Sequence, residues 1–171
     1  MNNSSKPVTL VFITAETCGA CKNFKKRKPD IVRAFSKSNV TIVDINLEDT
    51  KISNMPSGYP TNLNKFIGFF PTVLMVDTKE WKESVKGNKT LKNVQILGGE
   101  IANNGRVELV NTIYQTTAKG IKNWVDKNRP NKETSNIIVK DFIPYRNNSK
   151  QIIISNSAEK NNVNKYNFLP L

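Results

Sequence analysis

The chain has no histidine and only two cysteines, Cys18 and Cys21, among its 171 residues. Without histidine, no Cys-His or Ser-His catalytic pair can be assembled. A structural zinc site wants about four Cys or His ligands, so a metal would have to be completed by carboxylates or shared between subunits, and none is expected. Lys22, not histidine, follows Cys21, which excludes the haem-attachment pattern. Long apolar runs are lacking as well, and no window approaches the roughly 20 residues of a membrane-spanning helix. Residues 1–7 are polar and lead into a short strand-like run, unlike a secretory apolar region with a cleavage site. The expectation is a soluble protein of a reducing cytoplasm, with no membrane partner.

Acidic residues are also scarce: 14 Asp and Glu stand against 26 Lys and Arg, for a formal net charge of +12. Such an excess raises nucleic acid and anionic surfaces as partners. Lysine and asparagine are spread over the whole length, however, as the codon usage of an AT-rich genome would give. The densest run, Lys25-Lys26-Arg27-Lys28, lacks the interleaved aromatics of a single-strand binding platform. Nucleic acid is therefore not an expected partner, and acidic proteins suit the charge at least as well. The 37% hydrophobic fraction suffices for one domain with a core and an extension.

The two cysteines that are present form Cys18-Gly19-Ala20-Cys21. Thiols spaced i, i+3 lie on adjacent corners of a helical turn, close enough to form a small disulfide. A purely structural bridge across so short a loop would stabilise little. The run Val8 to Thr14 reads as a buried strand, short, apolar and β-branched. From Gly19 a helix is expected, with Cys21, Phe24, Ile31, Val32 and Phe35 on one face and a kink or restart at Pro29. A strand feeding a helix whose first turn carries C-x-x-C is the redox form of this motif, not the zinc form.

Further along, Val40 to Asn46 is a second strand, Thr61 to Ile67 a short helix, and Pro71 to Asp77 a third, apolar strand. Strand, helix, strand, helix, strand implies a crossover parallel pair with another strand beside it. The stretch from Thr78 to Gln115 is turn-rich, with a strand at Val94 to Gly99 and a tight turn at Asn104-Gly105 before Arg106 to Val110. Thr117 is a suitable N-cap for a helix over Ala118 to Asn128, with Ile121, Trp124 and Val125 buried and Pro130 ending it. Beyond it, Asn136 to Ile143 and Gln151 to Ser155 are strand-like within Asn/Ser/Lys-rich sequence. No internal repeat is visible.

Ala15-Glu16-Thr17-Cys18-Gly19-Ala20-Cys21-Lys22 resembles the thioredoxin active-site string A-E-W-C-G-P-C-K, and Phe70-Pro71-Thr72 resembles that family's Ile-Pro-Thr. The likeness spans about Val8 to Asn128. It implies an α/β, thioredoxin-like fold: a central mixed β-sheet flanked by helices, with an extra β-rich insertion and a C-terminal extension. The expected divisions are a leader at 1–7, the domain at 8–129 with its insertion at about 78–116, and the extension at 130–171. The resemblance further implies that Pro71 is cis and faces the disulfide across a groove, and that Thr17, Gly19, Ala20, Phe70, Pro71 and Thr72 contact substrate.

Ala20 replaces the family's proline, and Thr17 its tryptophan. Phe12 falls where thioredoxins bury an aspartate, and Asp44 where they place a lysine. Asp44 is thus either a proton relay taking over the carboxylate's role or simply a polar residue near a strand end.

At the helix N-terminus, Cys18 is the expected nucleophile, with a thiol pKa drawn from about 8.5 towards 7, and Cys21 the resolving thiol. The implied activity is thiol-disulfide exchange on disulfide-containing protein substrates. It needs no cofactor beyond the dithiol and draws electrons from a donor of thioredoxin-reductase type. With Gly-Ala between the cysteines, a reductase or isomerase is favoured over an oxidase, although oxidation remains open if the chain belongs to a large DNA virus and works in host cytoplasm or virion. Two other readings stand beside this one. One is a glutathione-using glutaredoxin. The other is a thioredoxin-fold binding or structural module, virion-associated in a viral setting, in which the basic surface and the extension are the functional parts.

Overall fold

The computed structural model describes residues 5–52, 55–87, 89–110, 115–130, 137–144, 150–156 and 163–166. Strand β1 (Val8–Ala15) is buried along its whole length. Its side chains alternate between two cores: Val8, Leu10 and Phe12 enter one, and Val11, Ile13 and Ala15 the other. A strand apolar on both faces needs a layer on each face and a partner at each edge. Strand β2 (Val40–Leu47) pairs with β1 in parallel, and β3 (Thr72–Asp77) pairs with its other edge antiparallel. Then follow β4 (Val94–Ile96), β5 (Gly99–Ile101) and β6 (Val107–Leu109), each antiparallel to the one before, in the order β2-β1-β3-β4-β5-β6. A central parallel pair joined through a helix, flanked by antiparallel strands, is the thioredoxin-like arrangement, and the chain has that α/β fold.

Helix α1 (Gly19–Phe35) links β1 to β2 and shares a sheet face with α3 (Ala118–Asn128). Phe24, Ile31 and Phe35 from α1 meet Ile121 and Val125 from α3 over Leu10, Phe12, Val73 and Met75. At the centre of this core Phe12 and Phe24 stand edge to face, ring centroids 5.3 Å apart, the arrangement aromatic quadrupoles favour. The opposite face is covered by a 3-10 turn (Leu63–Phe66) and α2 (Thr78–Gly87), through Leu63, Phe66 and Trp81. Asn62 ties the turn to the segment after α2, its amide donating to Leu91 O and its carbonyl accepting from Leu91 N, both at 2.8 Å.

Several sequence expectations are corrected. Helix α1 continues through Pro29 without a restart. The proline removes one backbone bond, to the Lys25 carbonyl, but Phe24 and Ile31 on either side of it are anchored in the same core. Val32 is not in the buried stripe and is 46% exposed, because it lies about 100° around the helix from Ile31. Helix α2 occupies part of the stretch expected to be turn-rich. Asp77 caps it, accepting from the N–H groups of Lys79 at 2.8 Å and Glu80 at 3.2 Å, so Asp77-x-x-Glu80 was an available start signal. The single strand expected at Val94 to Gly99 is split by a turn at Leu97-Gly98, where Gly98 has φ 73°. Helix α3 begins at the expected cap, with Gly120 N–H donating to Thr117 Oγ1 at 3.1 Å.

Arg129 fastens the end of this unit: its guanidinium donates to the carbonyls of Lys6 and Asn39, both at 2.7 Å. Partial burial draws its pKa downwards. The chain divides into a unit at Lys6–Arg129 and a second formed by Met1–Ser5 with Pro130–Leu171. In the second, β7 (Ile137–Pro144), β8 (Lys150–Asn156) and β9 (Val163–Tyr166) form an antiparallel sheet in that order, one strand more than expected. Among the described residues, no helix is long and apolar enough to cross a membrane.

The register of α1 predicts two contrasting substitutions. In urea unfolding, Phe24→Ala should lower stability by about 3–5 kcal/mol. Val32→Ala should stay within about 0.5 kcal/mol of wild type.

Candidate active site at the start of the first helix

The turn between β1 and α1 is held from both sides. Glu16 N–H donates to Leu47 O at 2.9 Å, and Cys18 N–H to Ala15 O at 3.2 Å. These bonds deliver Cys18 to the N-cap of α1 in an extended conformation, φ −89° and ψ 115°. Cys18 Sγ accepts the backbone N–H of Cys21 at 3.1 Å, one of the donors that a helix start otherwise leaves unpaired. Cys18 and Cys21 are disulfide-bonded, with Cα atoms 5.2 Å apart. Cys18 is half-buried and Cys21 fully buried, while Thr17, Gly19 and Ala20 are exposed around them. The first turn of α1 carries no acidic side chain, so nothing in it opposes the helix dipole's preference for an anion there.

The Phe70–Pro71 peptide is cis, as the resemblance implied. Pro71 shares with Ala20 a shallow depression of about 240 Å³, whose other walls are Asn23, Phe24, Arg27 and Thr116. Arg27 reaches across it, Nη1 donating to Thr116 Oγ1 at 3.4 Å. Phe70 is half-buried and packs on the α2-side core. Thr72 is fully buried and its hydroxyl donates to the Phe69 carbonyl. Its side chain therefore shapes the turn before β3 and offers no surface of its own.

Asp44 pairs in register with Phe12, and its carboxylate is ion-paired with Lys28. Lys28 is seven residues beyond Cys21, or about 10 Å along the helix axis. A direct relay needs hydrogen-bond reach of the thiol, whereas Asp44 is engaged at a lysine two turns away. The polar groups beside the cysteine turn are different ones. Buried Thr14 donates to Asn46 Oδ1 at 2.9 Å, the Asn46 amide donates to Glu16 Oε1, and Lys25 Nζ donates to the same oxygen at 3.0 Å. The Asn46 hydrogen bond first, and the Lys25 hydrogen bond and charge after it, hold the Glu16 carboxyl below the usual carboxylate range. No spacing in the sequence links these four residues. The Ala20, Asn23, Arg27 wall, by contrast, follows from helical periodicity once Ala20 is placed in the first turn.

No family model matches the sequence, and a comparison with curated proteins finds no match. Solved structures that resemble it include the Trx4 domain of ERdj5, at 17% identity over 71% of this chain and 79% of that one, TM-score 0.42. Thioredoxin O2 of Arabidopsis thaliana in its oxidized state matches at 11% identity over 74% and 77%, TM-score 0.37. Thioredoxin-2, described as a component of malaria parasite protein secretion machinery, matches at 14% identity over 56% and 82%, TM-score 0.32. Strand order and direction define the fold.

The Glu16 bonds predict a titration. A carboxyl held low contributes stability in full above its unfolded-state pKa and loses it as pH falls through the folded-state value. In an NMR titration the Glu16 carboxyl should therefore have a midpoint below the ordinary glutamate range, and Asn46→Ala should return it upwards and reduce the loss of stability on acidification. The chain has a thioredoxin-like fold with a Cys-Gly-Ala-Cys pair, at disulfide distance, at the start of its first helix.

Proposed function

We propose that the protein is a thiol-disulfide oxidoreductase acting on disulfides in protein substrates, with Cys18 as nucleophile and Cys21 as resolving thiol. One observation carries this reading: Cys18 Sγ sits at the N-cap of α1 and accepts the Cys21 N–H at 3.1 Å. A sulfur so placed is favoured as a thiolate by a directed donor and the helix dipole. Burial of Cys21 against partial exposure of Cys18 supports the order of attack, since only Cys18 is open to a partner's cystine.

In the reduced protein, the Cys18 thiolate attacks one substrate sulfur and forms a mixed disulfide. The other substrate sulfur leaves and takes up a proton. Cys21, losing its own proton, attacks Cys18 Sγ, so the protein disulfide forms again and the second substrate thiol departs. Two electrons pass to the substrate. A dithiol reductant, or in the cell a donor of thioredoxin-reductase type, returns them. Exposed Thr17, Gly19 and Ala20 border the reacting sulfur, and Pro71, having no N–H, adds an apolar wall. Cytoplasm is the compartment proposed for this chemistry.

A second reading, a thioredoxin-fold binding module, draws support from the separate sheet formed by β7, β8 and β9. Insulin reduction with dithiothreitol distinguishes the two. The oxidoreductase reading expects wild-type turnover well above the uncatalysed rate, loss of that excess in Cys18→Ser, and accumulation of a mixed disulfide in Cys21→Ser. Wild type no faster than dithiothreitol alone would favour the binding module.

A further inference from the structure

Helix α1 holds six basic side chains and one acidic side chain. Three of the six are neutralised: Lys25 by Glu16, Lys28 by Asp44 and Arg33 by Asp30. Lys26 and Arg27 have no carboxylate partner among the described residues, Lys22 makes no ion pair there and acts on Glu16 only as the smallest of its charge influences, and all three are exposed. Arg27 is a wall of the depression that Ala20 and Pro71 also line, with Asn23 one turn before it. Lys26 is an i, i+3 neighbour of Asn23, and Lys22 an i, i+4 neighbour of Lys26, so exposed cations continue around the helix from the rim. Among the described residues no acidic one lines the depression. Among the described residues the one polar contact of the Arg27 guanidinium, to Thr116 Oγ1, is long at 3.4 Å and leaves its other N–H groups open to a carboxylate, which guanidinium binds in bidentate fashion.

We infer that this depression selects substrates bearing a carboxylate about three residues from the attacked cysteine. The inference rests on the oxidoreductase reading and adds to it a substrate class, acidic cystine-containing segments. The spacing follows from the helix: Arg27 is seven residues past Ala20, about 10 Å along the axis, and an extended peptide covers that distance in about three residues. The depression is open at the surface, so the pairing is of the exposed kind and acts on encounter rate and orientation more than on tight binding. It weakens as salt shortens the screening length.

The experiment uses three fluorogenic disulfide peptides identical except at the third position from the cysteine, where they carry Glu, Gln or Lys. With dithiothreitol as reductant, wild-type kcat/KM should fall in the order Glu, Gln, Lys. The Glu-to-Lys ratio should be about fivefold or more at low salt and approach one at high salt. Arg27→Gln should collapse the ratio while still turning over the Gln peptide. Equal rates for the Glu and Lys peptides, or a preference that survives Arg27→Gln, would overturn the inference. If wild type fails on all three peptides, the oxidoreductase reading fails by itself. Amide chemical-shift titrations of the oxidised protein with serine-substituted versions of the peptides then test docking directly. Shifts at Asn23 and Arg27 with the Glu peptide and not the Lys peptide support the inference, and their absence overturns it.

Discussion

The hydrogen bond from Cys21 N–H to Cys18 Sγ at 3.1 Å places a sulfur where α1 presents unpaired donors, and the rest of the molecule serves to keep that helix start in position. Strand β1 is fixed by pairing with β2 along its whole length and with β3 from Val8 to Ile13. The short turn after it is closed through Ala15 O and Leu47 O. Phe24, Ile31 and Phe35 then fasten the body of the helix to the sheet. A helix held this firmly can cross Pro29 without breaking and can point its N-terminus at the surface. Burial of one face thus supplies the rigidity that an oriented donor requires.

Phe12 marks a choice in the core beneath this helix. A carboxylate at that position would have to be desolvated among apolar side chains, at a cost of several kcal/mol unless paired. Phe12 instead makes an edge-to-face contact with Phe24, trading a buried acid for packing. Charged and polar groups lie at the rim: Thr14, Asn46, Glu16 and Lys25 on one side, Arg27 and Thr116 on the other. Electrostatic influence on the dithiol therefore comes from the helix start and from partly solvated side chains, where it is weaker and more sensitive to salt.

How much of this was legible in the sequence follows from how local each signal is. Cys18 and Cys21 are three residues apart between a β-branched run and a helical pattern, so their placement could be read directly. Thr117 as a cap and the Ile121/Val125 stripe were legible for the same reason, since both lie within a few residues of what they determine. Val32 was misplaced because one step around a helix separates core from solvent. Helix α2 was overlooked although Asp77 and Glu80 carried a capping signal, its apolar content being little more than Trp81 and Val85. Arg27 and Thr116 meet across 89 residues of sequence, and Asn46 reaches Glu16 across 30. Such meetings are set by tertiary packing, and no periodicity encodes them.

The account stands most directly on unequal chemistry at the two sulfurs. In the reduced protein, alkylation by iodoacetamide as a function of pH, mapped by mass spectrometry, measures it at each cysteine. The account predicts that Cys18 reacts first by a wide margin, with a midpoint below the roughly 8.5 of free cysteine, while Cys21 stays protected until the protein unfolds. Equal labelling of the two, or a Cys18 midpoint at or above the free value, would contradict it.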